Sequence, residues 1–178
     1  MACVLTKGRN VPCKSGVGGL KSVYFTDFGD LGDITIAGFE ITAIAGSPTL
    51  YQFDLKGNST FETTVTSSRE NGTTYYESTL TLNFTFQDRD TQEEIRLLAI
   101  ARPHIWVEAY SGLAGSSYYL MGKVNGCELT TGTFSNGAAM GDLNGYSLTF
   151  TAQEMAAPDF TVEAVVTGAT QGTKITPN

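Results

Sequence analysis

A chain of 178 residues, 41% hydrophobic and 16% charged, has the size and make-up of one globular domain of sandwich or barrel type. Twenty glycines, many threonines and few lysines favour short strands joined by tight turns over a helical fold. A formal charge of -7 argues against a protein that grips nucleic acid by neutralising phosphates; surface solubility is its commoner use, although an acidic wall would also let a duplex pass without sticking.

Residues 1–20, with Pro12 and the run Ser15-Gly16-Val17-Gly18-Gly19, read as a flexible arm leading into a strand over 21–26. Asp27 to Asp33 is a glycine-rich turn. Ile34 to Ile44 reads as a strand pair or a bent strand interrupted near Gly38, and Tyr51, Phe53 and Leu55 alternate in the strand that follows Gly46-Ser47-Pro48. Residues 60–86 form a long hairpin. On its second strand Tyr76, Leu80, Leu82, Phe84 and Phe86 share one face, and Tyr75, Glu77, Thr79, Thr81, Asn83 and Thr85 share the other. The hairpin tip, with Ser68, Arg69, Glu70, Asn71 and Gly72, is either a solvated loop or a projecting contact loop.

After Asp88-Arg89 the period changes to 3.6, which predicts a helix over about 91–101 with Asp90 as N-cap and Glu93 closing a capping box. Ile95, Leu98 and Ala99 share its apolar face, and Leu97 and Ile100 widen it. Beyond Pro103 strands are expected over 104–110, 118–123, 127–134 and 144–151, the last with Tyr146, Leu148 and Phe150 on one side. A final strand is expected over 160–166. Residues 167–178 read as a polar tail that is mobile or orders on a partner.

Most candidate chemistry lacks its context. Cys3, Cys13 and Cys127 have no C-x-x-C spacing and accompany a single histidine, His104, so no metal, cofactor or catalytic set is expected and the chain reads as no enzyme. His104, in an alternating strand, reads as a surface or interface residue. Asp27-Phe28-Gly29 has no accompanying kinase motif, and the spacing of Asp27, Asp30 and Asp33 is not that of an EF-hand. Trp106, Tyr110, Tyr118 and Tyr119 suit either a stacking surface for sugars or bases or, more commonly, core and subunit packing. The sequons at Asn58, Asn71 and Asn83 read as turn and strand residues, since the first eight residues lack the pattern of a secretion signal. No segment has the length and apolarity of a membrane-spanning helix, and a reducing cytoplasm is the expected place of maturation.

The order of arm, strands, long hairpin Phe61 to Phe86, capped helix Thr91 to Ala101 and closing strand Gly145 to Thr151 resembles the major tail tube proteins of tailed bacteriophages. The resemblance implies a tail-tube β-sandwich with one short helix, spanning residues 1–178 as a single domain. It also implies hexameric rings stacked into a hollow tube in the virion tail, assembled in the host cytoplasm, with other tail proteins at the tube ends and DNA passing through unbound. Loops such as Ser68, Arg69, Glu70 and Asn71 and the terminal arms would then bridge rings. The row Glu77, Thr79, Thr81, Asn83 and Thr85 would line the lumen. Competing readings are another virion sandwich protein, such as a tail terminator or capsid decoration protein, and a secreted adhesion or carbohydrate-binding module.

Overall fold

A computed structural model describes residues 5, 7–11, 13, 14, 16–56, 58–111 and 116–176. The fold is mainly β, built from two sheets and two short helices. In chain order the strands are β1 (Leu20–Thr26), β2 (Ile34–Ala37), β3 (Glu40–Ile44), β4 (Thr49–Asp54), β5 (Thr60–Ser68) and β6 (Thr73–Thr85). Then come helix α1 (Arg89–Leu98), β7 (His104–Tyr110), β8 (Ser116–Met121), β9 (Glu128–Ser135), β10 (Gly145–Glu154), β11 (Asp159–Thr161), helix α2 (Glu163–Thr167) and β12 (Thr170–Gln171).

The larger sheet has eight strands in the order β12-β4-β1-β7-β8-β11-β3-β2, and the smaller has four in the order β5-β6-β10-β9. The main core lies between them. Val23 and Phe25 of β1 and Ile105 and Val107 of β7 meet Leu80 and Leu82 of β6 and Leu148 and Phe150 of β10, with Ile95 of α1 plugging one side. Strands β1 and β7 are buried along nearly their whole length, because the other face of the larger sheet is covered too. There Tyr24, Trp106, Tyr118 and Leu120 share a second cluster with Ile41 of β3, Leu50 of β4 and Val166 of α2. Strands β3 and β4 stand far apart in the sheet order, so their joint membership of this cluster means that the larger sheet curls over itself.

Several expectations need correction. Helix α1 starts two residues earlier than predicted, with Asp88 as N-cap: its carboxylate accepts from the Thr91 backbone N–H at 3.1 Å and from the Thr91 hydroxyl at 3.2 Å. Phe86, at φ 74, turns the chain out of β6 early enough for Asp88 to take that place rather than Asp90. Only Ile95 of the helix is buried, while Leu97 and Ile100 are exposed, so the apolar face is narrower than its composition suggests. The expected strand over 160–166 is a three-residue strand followed by α2. The Val162 N–H bonds Ile41 O, and the next turn drives Val166 into the second core.

The C-terminal tail is docked through its described residues. Thr170 and Gln171 pair in parallel with β4, Gly172 N–H bonds Leu50 O, and Lys174 reaches Asp54 at 3.0 Å. The arm is one residue shorter than predicted, since Leu20 already belongs to β1 and is buried. Cys3 and most of the 111–116 turn lie outside the described residues.

Candidate assembly surface

The small sheet turns one face to the core and one away from it, and the outward face has an unusual composition. Register places Thr60, Thr81, Thr149 and Thr131 side by side across all four strands. One row along lie Glu62, Thr79, Thr151 and Glu128, and on the other side Asn83, Ser147 and Thr133. Thr64, Glu77 and Gln153 make a further row. The residues of these rows are hydroxyls, amides and carboxylates, with no lysine or arginine among them. Alternation makes this face. Leu80, Leu82, Leu148 and Phe150 are buried, and the residues between them project to the opposite side.

The predicted row on β6 therefore sits together on one surface, but its members differ. Glu77, Thr79 and Thr81 lie in the body of the sheet, whereas Asn83 is tied down: its N–H donates to the Ser59 hydroxyl at 3.2 Å and its side-chain amide to Asn58 O. Thr85 ends the strand opposite Gly145, where the backbones come so close that a Cβ on Gly145 would lie 1.9 Å from Phe84 O. That contact pins the register of β6 against β10. Sequence reasoning missed the threonines of β5, β9 and β10, because a face shared by four strands is visible only after pairing.

Both long edges of this sheet, β5 and β9, are unpaired among the described residues. The hairpin overhangs one end: β10 follows β6 as far as Tyr76, and three further pairs, Thr66 with Tyr75, Ser67 with Thr74 and Ser68 with Thr73, carry the tip about 10 Å beyond at ~3.4 Å per residue. At the tip Arg69, Glu70 and Asn71 are exposed and Ser68 half-buried. The Ser68 hydroxyl accepts from Asn71 N–H at 3.3 Å, Ser67 and Thr74 share a hydroxyl contact at 2.9 Å, and Gly72 takes the positive φ the turn requires. The four tip residues thus form one shaped projection, set apart from the Thr79–Thr81 wall.

Other polar groups are enclosed. His104 is buried rather than superficial: Nδ1 contacts Gly122 O at 2.6 Å, Nε2 accepts from Gly29 N–H at 3.3 Å, and Phe28 stacks on the ring. Burial pushes its pKa down. It clips the 27–33 turn to the end of β8. Glu108 is buried beside the second core, where Lys21, the Ser22 hydroxyl and the Tyr24 hydroxyl donate to it. The hydrogen bond and charge of Glu108 raise the Lys21 pKa, and burial raises that of Tyr118. The aromatic set is divided. Trp106 and Tyr118 belong to the second core, Tyr119 packs with Phe61 and Phe160, and Tyr110 is exposed.

Among the described residues no group of three or more His, Cys, Asp or Glu side chains is arranged to hold a metal ion, and no helix is long and apolar enough to cross a membrane. No protein-family model, curated protein or solved structure matches the chain.

Proposed function

We propose that this chain is a structural subunit of a tailed-phage tail tube, closing into rings through its four-stranded sheet and stacking by way of the hairpin tip. The observation that carries the reading is the small sheet: an apolar face sealed by the core, a hydroxyl and carboxylate face without a basic residue, and two long edges open to pairing. Open edges on strands of eight and nine residues are an aggregation hazard in a monomer, and closure into a ring removes them. Six copies, the number the resemblance implies, laid side by side at about 4.8 Å per strand, give a circumference of roughly 115 Å and a backbone diameter of roughly 37 Å, which strand tilt widens further.

A channel of that width lined by Thr60, Thr79, Thr81, Thr149 and Thr151, with Glu62, Glu77 and Glu128, keeps a water layer and repels phosphates. Its partners are further copies of itself, other tail proteins at the tube ends, and DNA that passes without specific contacts.

Negative-stain imaging of the purified protein across a concentration range tests the proposal. Rings and stacked tubes are expected, and deleting Arg69 to Asn71 should leave a folded chain that stacks poorly. A monomer persisting at every concentration overturns the reading, and single rings that never stack point instead to a terminator or decoration protein.

A further inference from the structure

The dipeptide Asn-Gly occurs four times, at Asn71, Asn125, Asn136 and Asn144. In this context a chain can attack itself: the backbone nitrogen of the following residue reaches the asparagine side-chain carbon through a five-membered ring, and glycine puts no side chain in the way. All four asparagines are exposed, so access to water does not separate them. Their glycines do.

Three of the pairs are held. Gly126 is buried and its N–H donates to Gly122 O at 3.1 Å, while the Asn125 side-chain amide donates to Gln153 O at 2.7 Å and its backbone N–H to Glu154 Oε1 at 2.9 Å. Gly145 is the buried first residue of β10, paired with Thr85 on one side and Ser135 on the other, and Asn144 O accepts from Phe86 N–H at 2.6 Å. The Gly137 N–H donates to the Ser135 hydroxyl at 3.3 Å. Its loop is braced by Asp142, whose carboxylate accepts from the Ala138 and Ala139 N–H groups at 2.8 Å each.

Asn71 differs. Among the described residues no hydrogen bond engages the Gly72 N–H or the Asn71 side chain, and a Cβ built on Gly72 would meet nothing within 4 Å. The pair also lies where the hairpin has run past β10, and two strands without a third are marginally stable, so this turn opens at the least cost.

We infer that Asn71 is a site of self-modification, which turns an amide of the hairpin tip into a carboxylate without the help of an enzyme. The Gly72 nitrogen gives its proton to solvent base and attacks Asn71 Cγ. A new C–N bond forms as the Cγ–Nδ2 bond breaks, and the nitrogen released takes a proton from solvent and leaves as ammonia. Water then opens the cyclic imide at either carbonyl, giving aspartate or isoaspartate with no change of oxidation state. Either product sets a new negative charge beside Glu70, and isoaspartate also lengthens the backbone of the turn by one carbon. The free chain therefore ages first at its most projecting loop. The inference requires only the folded chain, neither ring nor tube.

The test incubates the full-length protein under mildly alkaline, reducing conditions and follows each site by peptide mapping with fragmentation. Cleavage after lysine and arginine leaves Asn71 in the fragment 70–89 and the other three pairs in 124–174. Conversion at Asn71 should rise with pH and run about tenfold or more ahead of Asn125 and Asn144, with Asn136 between them, because held pairs react only when they open locally. In urea the four rates should converge, and Asn71→Gln should abolish the acidic form of the fragment 70–89. A folded protein in which Asn71 stays intact, or converts no faster than Asn136, overturns the inference. A ranking that persists in urea overturns it too, since local sequence and not the fold would then set the rates. Conversion in a chain that never forms rings would leave the modification standing and remove the tube, whereas rings from a chain whose free form keeps Asn71 intact would do the opposite.

Discussion

Replacing Thr81 with lysine probes the outward face where it is most characteristic. Thr81 lies between Thr60 and Thr149 in the central row, half-buried by its neighbours, and a lysine stem can lie across those hydroxyls with its ammonium in water. In the monomer the change should cost at most about 1 kcal/mol, chiefly lost β propensity, which lowers the melting temperature by roughly 2–4 °C in a chain of this size. In an assembled tube the effect is of another kind. Each ring acquires a circle of ammonium groups, and about six phosphate contacts give a salt slope near -5, so a short duplex held at 50 mM salt should be released about a thousandfold more readily at 200 mM. The assay joins a thermal melt, negative-stain imaging and filter retention of a labelled duplex, with wild-type tubes as the reference that retains none. A loss of several kcal/mol of stability would mean that the face is buried within the monomer. A folded variant unable to form tubes would place the face between copies, and tubes that hold no duplex would put it on the outside; each result refutes a lumen-facing wall.

Two further expectations concern the fold. His104 has a folded pKa below its ordinary value because burial disfavours the cation, so its contribution is whole above about pH 6.5 and is lost as pH falls through the folded pKa; melts from pH 7.5 down to 5 should show this loss, and His104→Gln should flatten it. Asp88→Ala should cost about 1 kcal/mol by removing the cap of α1, while Asp90→Ala leaves the melting temperature nearly unchanged, a reversal of the ranking expected from sequence.

Strand β6 was legible because its two-residue period runs for most of its thirteen residues, and β10 for the same reason. The hairpin, its polar tip and the approximate helix followed from turn chemistry and a change of period. Caps were harder: Asp90, with Glu93 three residues on, is the cap the sequence favours, and the turn at Phe86 gives the place to Asp88 instead. His104 misled because β7 alternates in sequence yet is covered on both faces, so the polar residue at its start lies under Phe28 and the 27–33 turn rather than in water. Helix α2 and strand β12 were illegible as well, since five- and two-residue elements have no period of their own and are held where Val166 and Gln171 find partners on strands distant in sequence. The outward face was half legible. One row of it could be read from β6, but the Thr60–Thr81–Thr149–Thr131 ladder depends on pairings between residues up to 68 apart in the chain.

The chain's single tryptophan is fully enclosed in the cluster beneath α2, apart from the core between the sheets. Its indole is therefore a resident optical probe of one compartment. Emission that shifts to the red while far-ultraviolet dichroism holds would mark an outer cover that has loosened over an intact sandwich, and coincident changes in the two signals would mark a single cooperative melt.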